Sequence, residues 1–351
     1  MKKNLIITFF IALYSISSFA QDTNAAEELI TEGIKLHDAG KYEEAIGAYN
    51  KALQADANNA NALYEMSYTC YVAGKYDSTI LLSNRLISNK VPDNILKNVY
   101  VTLGNVYDDI KQPGKAEAIY KEGIKKFPDF HLLYFNLGIT YYRENSSKEE
   151  LALNNFQKAV TLFPLHAGSN YGQYQILAKQ NKIPAVLTAC MVCIAEQNTK
   201  RSKECAVFIQ SALTPNTKSD SSSKNITIFI PSSSLSKAKE NNFSGAELGI
   251  SLLAASPAIR DSLHLDNTEK KLSFQLQSLF NFLSESRKNK GFYWKMYAPF
   301  FSELKQKEYT DVLINIILMN SEQEAADWIT NNQTMVNQFY DWVKHYEWQT
   351  K

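Results

Sequence analysis

Cysteine is scarce in this chain, with four in 351 residues: Cys70, Cys190, Cys193 and Cys205. Only Cys190-Met191-Val192-Cys193 has the C-x-x-C spacing. No second pair matches it, so a zinc ribbon is excluded. An excess of charge of either sign is also missing, with 37 basic side chains against 36 acidic ones. Without a basic field there is no electrostatic footprint for nucleic acid. Beyond the first 20 residues no apolar run approaches the ~20 residues of a membrane span. There is no glycine-rich phosphate loop and no calcium loop, and so no cofactor is expected. The five histidines, His37, His131, His166, His264 and His345, are scattered and form no H-E-x-x-H. Ser221-x-x-Lys224 and Ser234-x-x-Lys237 match S-x-x-K in form only. They lie in a serine-rich stretch where such matches arise by chance, and their partner motifs are absent. No catalytic residue is assigned.

The N-terminus has the three parts of a secretory signal. Met1-Lys2-Lys3 is a basic start, Leu5 to Ile16 a short apolar run, and Ser17-Ser18-Phe19-Ala20 places small residues where a signal peptidase reads. The expectation is a signal peptide over 1–20, cleavage after Ala20, and an exported protein, periplasmic or extracellular, with no membrane span after cleavage. An uncleaved anchor is the competing reading. No cysteine follows the apolar run, which argues against a lipid anchor. Loss of Lys2 and Lys3 leaves 35 basic against 36 acidic side chains, a formal charge of −1.

The strongest pattern is internal. Tyr100, Leu103, Gly104 and Tyr107 read Y-x-x-L-G-x-x-Y, and Tyr134, Leu137, Gly138 and Tyr141 repeat it 34 residues later. A second signature follows each: Ala116, Tyr120, Gly123, Pro128, then Ala152, Phe156, Ala159, Pro164. Upstream, Gly33 and Leu36 precede Ala45, Tyr49 and Ala52, and Gly40-Lys41-Tyr42 recurs as Gly74-Lys75-Tyr76. Downstream lies a weaker copy, Val186, Cys190 and Cys193. A fixed period of this size marks stacked units, each too small to bury its own apolar face. Each unit holds two stretches with helical apolar spacing. Gly104 and Gly138 sit inside predicted helices, where Gly costs ~1 kcal/mol against Ala, a cost that close passage of another helix explains.

These residues resemble the tetratricopeptide repeat (TPR) family over about 25–199, as five units. The second unit departs from the pattern, with Thr79, Ser83 and Leu86 where small, aromatic and small are preferred. The resemblance implies an all-α, right-handed αα superhelical solenoid of about five helix pairs. It places Cys190 at the aromatic packing position and Cys193 at the small one, so both are expected to be core residues and not a metal or redox site. Cys205 is left as a disulfide partner for either in an oxidising compartment.

The second half is less explicit. Residues 200–234 are expected to be a linker region holding one short strand, Asn225 to Pro231, with no evident pairing partner. Residues 235–351 are expected to be a helical C-terminal domain that caps the solenoid or continues it. Asp266 with Glu269, and Ser321 with Glu324, have capping-box spacing. The aromatic run Gly291 to Phe301 reads either as a carbohydrate or peptide platform or as core, and core is preferred because packing uses most large aromatics. This half loosely resembles extensions of uncharacterised exported repeat proteins, a likeness that implies no activity.

The resemblance also implies a concave groove lined by the first helix of each pair. The stripe beside the packing residues Leu63, Ser67 and Cys70 is Tyr64, Tyr68 and Tyr71. The same register puts Val101, Asn105 and Asp108 there in the third unit, Phe135, Ile139, Tyr142 and Arg143 in the fourth, and Tyr171 in the fifth. Candidate partner-binding residues are therefore Tyr64, Tyr68, Tyr71, Asn105, Asp108, Phe135, Tyr142, Arg143 and Tyr171. The Lys/Asn/Arg arrangement that clamps a C-terminal carboxylate in chaperone-binding members is absent. The functional expectation is a non-catalytic scaffold that binds a protein or peptide through this groove. Two alternatives stand beside it: a glycan-binding component of an envelope uptake system, and an enzyme with its site in the C-terminal domain. The competing reading of the tyrosines is that the C-terminal domain covers them.

Overall fold

The computed structural model describes residues 25–144, 146–213, 217–219, 226–228, 240–255, 267–285 and 290–349. The signal segment, both S-x-x-K matches and Asp266 lie outside the described residues. The described residues form two compact units, the first ending at Glu144 and the second beginning beyond it.

The first unit is a series of helices: α1 (25–38), α2 (Tyr42–Ala55), α3 (Ala60–Val72), α4 (Tyr76–Ser88), α5 (Asp93–Asp109), α6 (Pro113–Lys126) and α7 (His131–Glu144). Sequential helices pack on one another, and α3, α5 and α7 also meet in turn. Local chemistry sets the boundaries. Asn59 caps α3, its Oδ1 accepting from Ala62 N at 3.0 Å. Pro113 opens α6, where a missing N–H is harmless. α6 stops at Lys126, before Phe127-Pro128, because the residue preceding a proline is pushed out of helical geometry. The turns between paired helices need a left-handed residue: Gly40 at φ 73°, Gly74 at φ 74°, and Lys111 at φ 60°. Glycine adopts that backbone freely, whereas lysine is strained in it.

The repeat is held by an aromatic ring laid on a glycine. A Cβ on Gly33 would fall 2.4 Å from the Tyr49 ring, and one on Gly104 2.2 Å from the Tyr120 ring. Both rings are fully buried. The second pair, which departs from the pattern, solves the same problem differently. Ser67 stands at the glycine position and Ser83 at the aromatic one. Their hydroxyls lie 3.0 Å apart, and Thr79 Oγ1 donates to Ser67 O at 3.3 Å. The polar set is buried and internally satisfied, so the lost ring leaves no orphaned group.

The second unit contains a 3-10 turn (Ser146–Lys148), α8 (Glu149–Leu162), α9 (Ala167–Leu177), α10 (Lys182–Ala195) and α11 (Lys200–Leu213), then a two-stranded hairpin of β1 (Thr217–Ser219) and β2 (Ile226–Ile228). The strands are antiparallel, with Lys218 opposite Thr227. There follow α12 (Ser244–Ala255), α13 (Thr268–Glu285), α14 (Phe292–Met296), α15 (Ala298–Gln306), α16 (Thr310–Leu318), α17 (Gln323–Asn331) and α18 (Gln333–His345). Three details differ from expectation. Residues 200–213 are helix rather than linker. The strand at Ile226–Ile228 has a partner in Thr217–Ser219. Asn267 caps α13, its Oδ1 accepting from Lys270 N at 2.8 Å, whereas Ser321 turns its hydroxyl to Leu318 O instead of capping α17.

One hydrophobic core runs from Val160 on α8 to Val343 on α18. α10 explains why. Ile183 to Ile194 are buried without a break, because α9, α11, α12 and α16 all pack on this helix. A helix apolar all round must be enclosed all round. The expected boundary over 200–234 therefore does not separate two cores: α8–α11 and the C-terminal helices share one. Tyr293, Trp294, Tyr297, Phe300 and Phe301 belong to that core. Tyr297 OH donates to Asn170 Oδ1 at 2.7 Å and accepts from Gln173 Nε2 at 3.0 Å, while Gln157 Nε2 donates to Tyr293 OH at 3.0 Å. The aromatic run is chiefly packing material, with these five rings buried.

Candidate partner-binding groove

Helical spacing puts Tyr64, Tyr68 and Tyr71 on one stripe of α3, next to the buried Leu63, Ser67 and Cys70. Tyr68 is 39% exposed and the other two are half-buried. Tyr64 also leans on the core cluster of Leu63, Leu82, Leu86, Ile95 and Val99, so it serves packing as well as the surface. The rings form a ladder. Tyr64 stacks on Tyr68 with centroids 6.5 Å apart, Tyr68 meets Tyr71 at 6.4 Å, and Tyr71 meets Tyr76 at 6.4 Å. His37 branches from the middle of the series, stacking on Tyr68 at 5.4 Å and contacting Tyr42 edge-on at 5.4 Å.

The repeat builds a matching polar set twice on the first-unit helices. In the third pair, Tyr120 OH donates to Asn105 Oδ1 at 2.7 Å and reaches Asp108 Oδ2 at 3.4 Å. Thr140 Oγ1 donates to the same Asp108 oxygen at 2.7 Å. In the first pair the matching residues are Tyr49, His37 and Thr69, and His37 Nδ1 lies 2.8 Å from Thr69 Oγ1. The Tyr49 hydroxyl, however, has no hydrogen-bond partner of acceptable geometry, although Thr69 is its neighbour. Tyr71 OH donates to Asp109 Oδ2 at 3.0 Å, tying the ladder to α5.

The electrostatics of this face are acidic. Burial raises the Asp108 carboxyl above its ordinary range in spite of the Thr140 hydrogen bond and the positive charge of Arg143. Burial also raises Glu65 on α3, and the like charge of Asp38 raises it further. The phenols respond in the same sense: Tyr64 is pushed up to about 12 by burial and then by Glu65.

Phe135 and Tyr142 are half-buried on α7, and Arg143 is exposed. Tyr171 belongs to the second unit. Its hydroxyl donates to Glu204 Oε2 at 2.8 Å, and Arg201 lies over its ring at 5.8 Å, so it is committed to α11. His37, Glu65 and Asp109 were not singled out from the sequence. His37 was findable, since it precedes Tyr71 by the 34-residue period.

The cysteines are free thiols, all buried. Burial pushes Cys190, Cys193 and Cys205 well up from the usual thiol range, and Cys193 Sγ donates to Ser202 O at 3.5 Å. Cys190 and Cys193 fill core positions, as the repeat register places them, and Cys205, read as a candidate disulfide partner for either, is a free buried thiol. Among the described residues no group of three or more His, Cys, Asp or Glu is arranged to hold a metal. No described helix is long and apolar enough to cross a membrane.

Family models match where the helix pairs are most regular: a TPR repeat over residues 33–71 and a tetratricopeptide repeat over 98–129. The chain carries tetratricopeptide repeats. Solved tetratricopeptide structures resemble it at low identity. YrrB, described as a TPR protein with an unusual peptide-binding site, is 18% identical with a TM-score of 0.38, covering 54% of this chain and 95% of YrrB. PilF of Pseudomonas aeruginosa is 16% identical with a TM-score of 0.47, covering 54% of this chain and 85% of PilF. Among curated proteins, human protein O-mannosyl-transferase TMTC3 is 27% identical over 134 residues, 38% of this chain. That match spans only 14% of TMTC3. None of these likenesses bears on what the tetratricopeptide repeats here bind.

Proposed function

We propose that this chain is an exported, non-catalytic scaffold that holds an extended segment of a partner protein against the first-unit groove. The observation that carries the reading is the ladder of His37, Tyr68, Tyr64 and Tyr71, side by side and partly exposed on the first helices. Rigid amphipathic rings give large contact area at small entropic cost, which is why they dominate protein-recognition hot spots. The export part of the reading rests on the N-terminal sequence.

The test replaces Tyr68 and Tyr71 with Ser and compares capture of the partner with wild type. Loss of capture at unchanged helical circular dichroism supports the groove; normal capture by a folded variant removes it. Adding Tyr64→Ser to the pair is expected to cost stability as well, because that ring also packs on the core. For export, mass spectrometry of the mature protein is expected to show Gln21 as the first residue, and retention of Met1 to Ala20 overturns it. A second reading, glycan binding, draws on one feature of the second unit. A cavity of about 1050 Å³ is lined by Trp294, Trp342, Tyr346, Glu303, Asp341 and Gln306, among others. Aromatic and carboxylate side chains together suit a sugar, and retention on immobilised polysaccharide that Trp342→Ala abolishes favours this reading over the scaffold.

A further inference from the structure

The aromatic groove contains carboxylates that nothing in the described chain neutralises. Asp38 closes α1 and Glu65 sits half-buried on α3. Neither makes a hydrogen bond or an ion pair with a described residue, and the charge beside Glu65 is the like charge of Asp38. A half-buried carboxylate next to another of the same sign is held against both desolvation and repulsion. The Tyr49 phenol is raised to about 12, by burial first and then by the charges of Glu65 and Asp38, in spite of its Thr69 neighbour. The same two helices, α1 and α3, carry the stacked rings of His37, Tyr68 and Tyr64, with centroid separations of 5.4 and 6.5 Å. Further along, Asp108 and Asp109 add two more acids, with Arg143 the cation that acts on Asp108.

Rings give their negative faces to a cation, and carboxylates give it charge-assisted hydrogen bonds about twice as strong as neutral ones. The complement of this surface is therefore a positive side chain with an apolar stem. We infer that the partner segment carries a Lys or Arg that docks between α1 and α3, its stem along Tyr64 and Tyr68 and its charge on Asp38 and Glu65. The inference rests on the peptide-groove reading and adds the polarity of the ligand. An acidic or phosphorylated segment meets the wrong sign here, and the partner is read as a basic peptide in extended form.

The experiment selects binders from a random peptide library on the full-length purified chain, then measures affinities of individual peptides against variants. Selected peptides are expected to share a Lys or Arg at one position, flanked by apolar residues. Their affinity is expected to fall at least tenfold for the Asp38→Asn/Glu65→Gln double variant and for Tyr68→Ser. Glu65→Lys is expected to shift selection toward Asp or Glu at that position, a gain that damage to the fold does not produce. Circular dichroism checks that each variant is folded. Peptides without Lys or Arg that still lose binding with Tyr68→Ser overturn the cation inference and leave the groove standing. Peptides indifferent to Tyr68→Ser and to the acid variants overturn both, as does failure to select any peptide.

Discussion

Gly104→Ala adds one methyl group and is expected to destabilise the first unit, in a helix where alanine is normally the better residue. The added Cβ falls 2.2 Å from Tyr120 Cε1 and 2.4 Å from Cζ. An ordinary carbon contact is ~3.5–4.0 Å, so the ring has to retreat by more than ~1 Å. It has nowhere to go. Tyr120 is fully buried, and its hydroxyl is held by Asn105 and Asp108, the latter itself held by Thr140. Overpacking costs ~1–3 kcal/mol. Pulling the hydroxyl off its acceptors adds ~0.5–1.5 kcal/mol. The better helix propensity of alanine returns ~1 kcal/mol. The net expectation is a loss of ~1–3 kcal/mol. Gly47 on α2 is the control: it is exposed, a Cβ there meets nothing within 4 Å, and Gly47→Ala is expected to stabilise by up to ~1 kcal/mol. Urea unfolding followed by circular dichroism separates the two. Gly104→Leu is expected to be worse than Ala, and worse than Gly40→Ala, which carries only the ~1–2 kcal/mol of a left-handed turn residue. In a Tyr120→Ala background the sign at position 104 is expected to reverse. A Gly104→Ala protein as stable as wild type refutes the ring-on-glycine account.

Other expectations follow from single positions. Glu65 has its carboxyl raised in the folded state, so its contribution is present below the ordinary Glu value of 4.5 and is lost as pH rises through the raised one. Glu65→Gln is accordingly expected to be more stable than wild type at pH 7 and flatter across that window, as read by denaturant titrations at several pH values. Ser83→Tyr, which restores the family's ring, is expected to destabilise by ~1–3 kcal/mol through overpacking, and adding Ser67→Gly to recover much of the loss, measured by thermal melts. Lys111→Gly relieves a φ of 60° and is expected to gain roughly 1 kcal/mol in urea unfolding. The four buried cysteines are expected to stay silent to a thiol reagent until denaturant is added, and no stoichiometric zinc to be recovered from the native protein. Prompt labelling of Cys190 or Cys193 contradicts their place in the core.

The sequence alone determined whatever one helix or one period carries. Two helices per unit, the close approach of another helix at Gly104, Cys190 and Cys193 as packing residues and the Tyr64, Tyr68, Tyr71 stripe were all legible. Each is a matter of spacing within about 34 residues, and backbone geometry turns spacing into a face. Tertiary structure alone decided what covers each face. Nothing in the weak fifth copy announces that α10 is enclosed by helices from more than 50 residues downstream. Tyr171 has the register of a groove residue, yet Glu204 takes its hydroxyl. Ser67 and Ser83 look like lost signature residues until their hydroxyls are seen 3.0 Å apart. Asp38 and Glu65 lie on different helices, and only the packing of α1 beside α3 turns two ordinary surface acids into an uncompensated pair. Periodicity is written locally, whereas desolvation and charge pairing depend on which surfaces meet, and that is settled only when the helices pack.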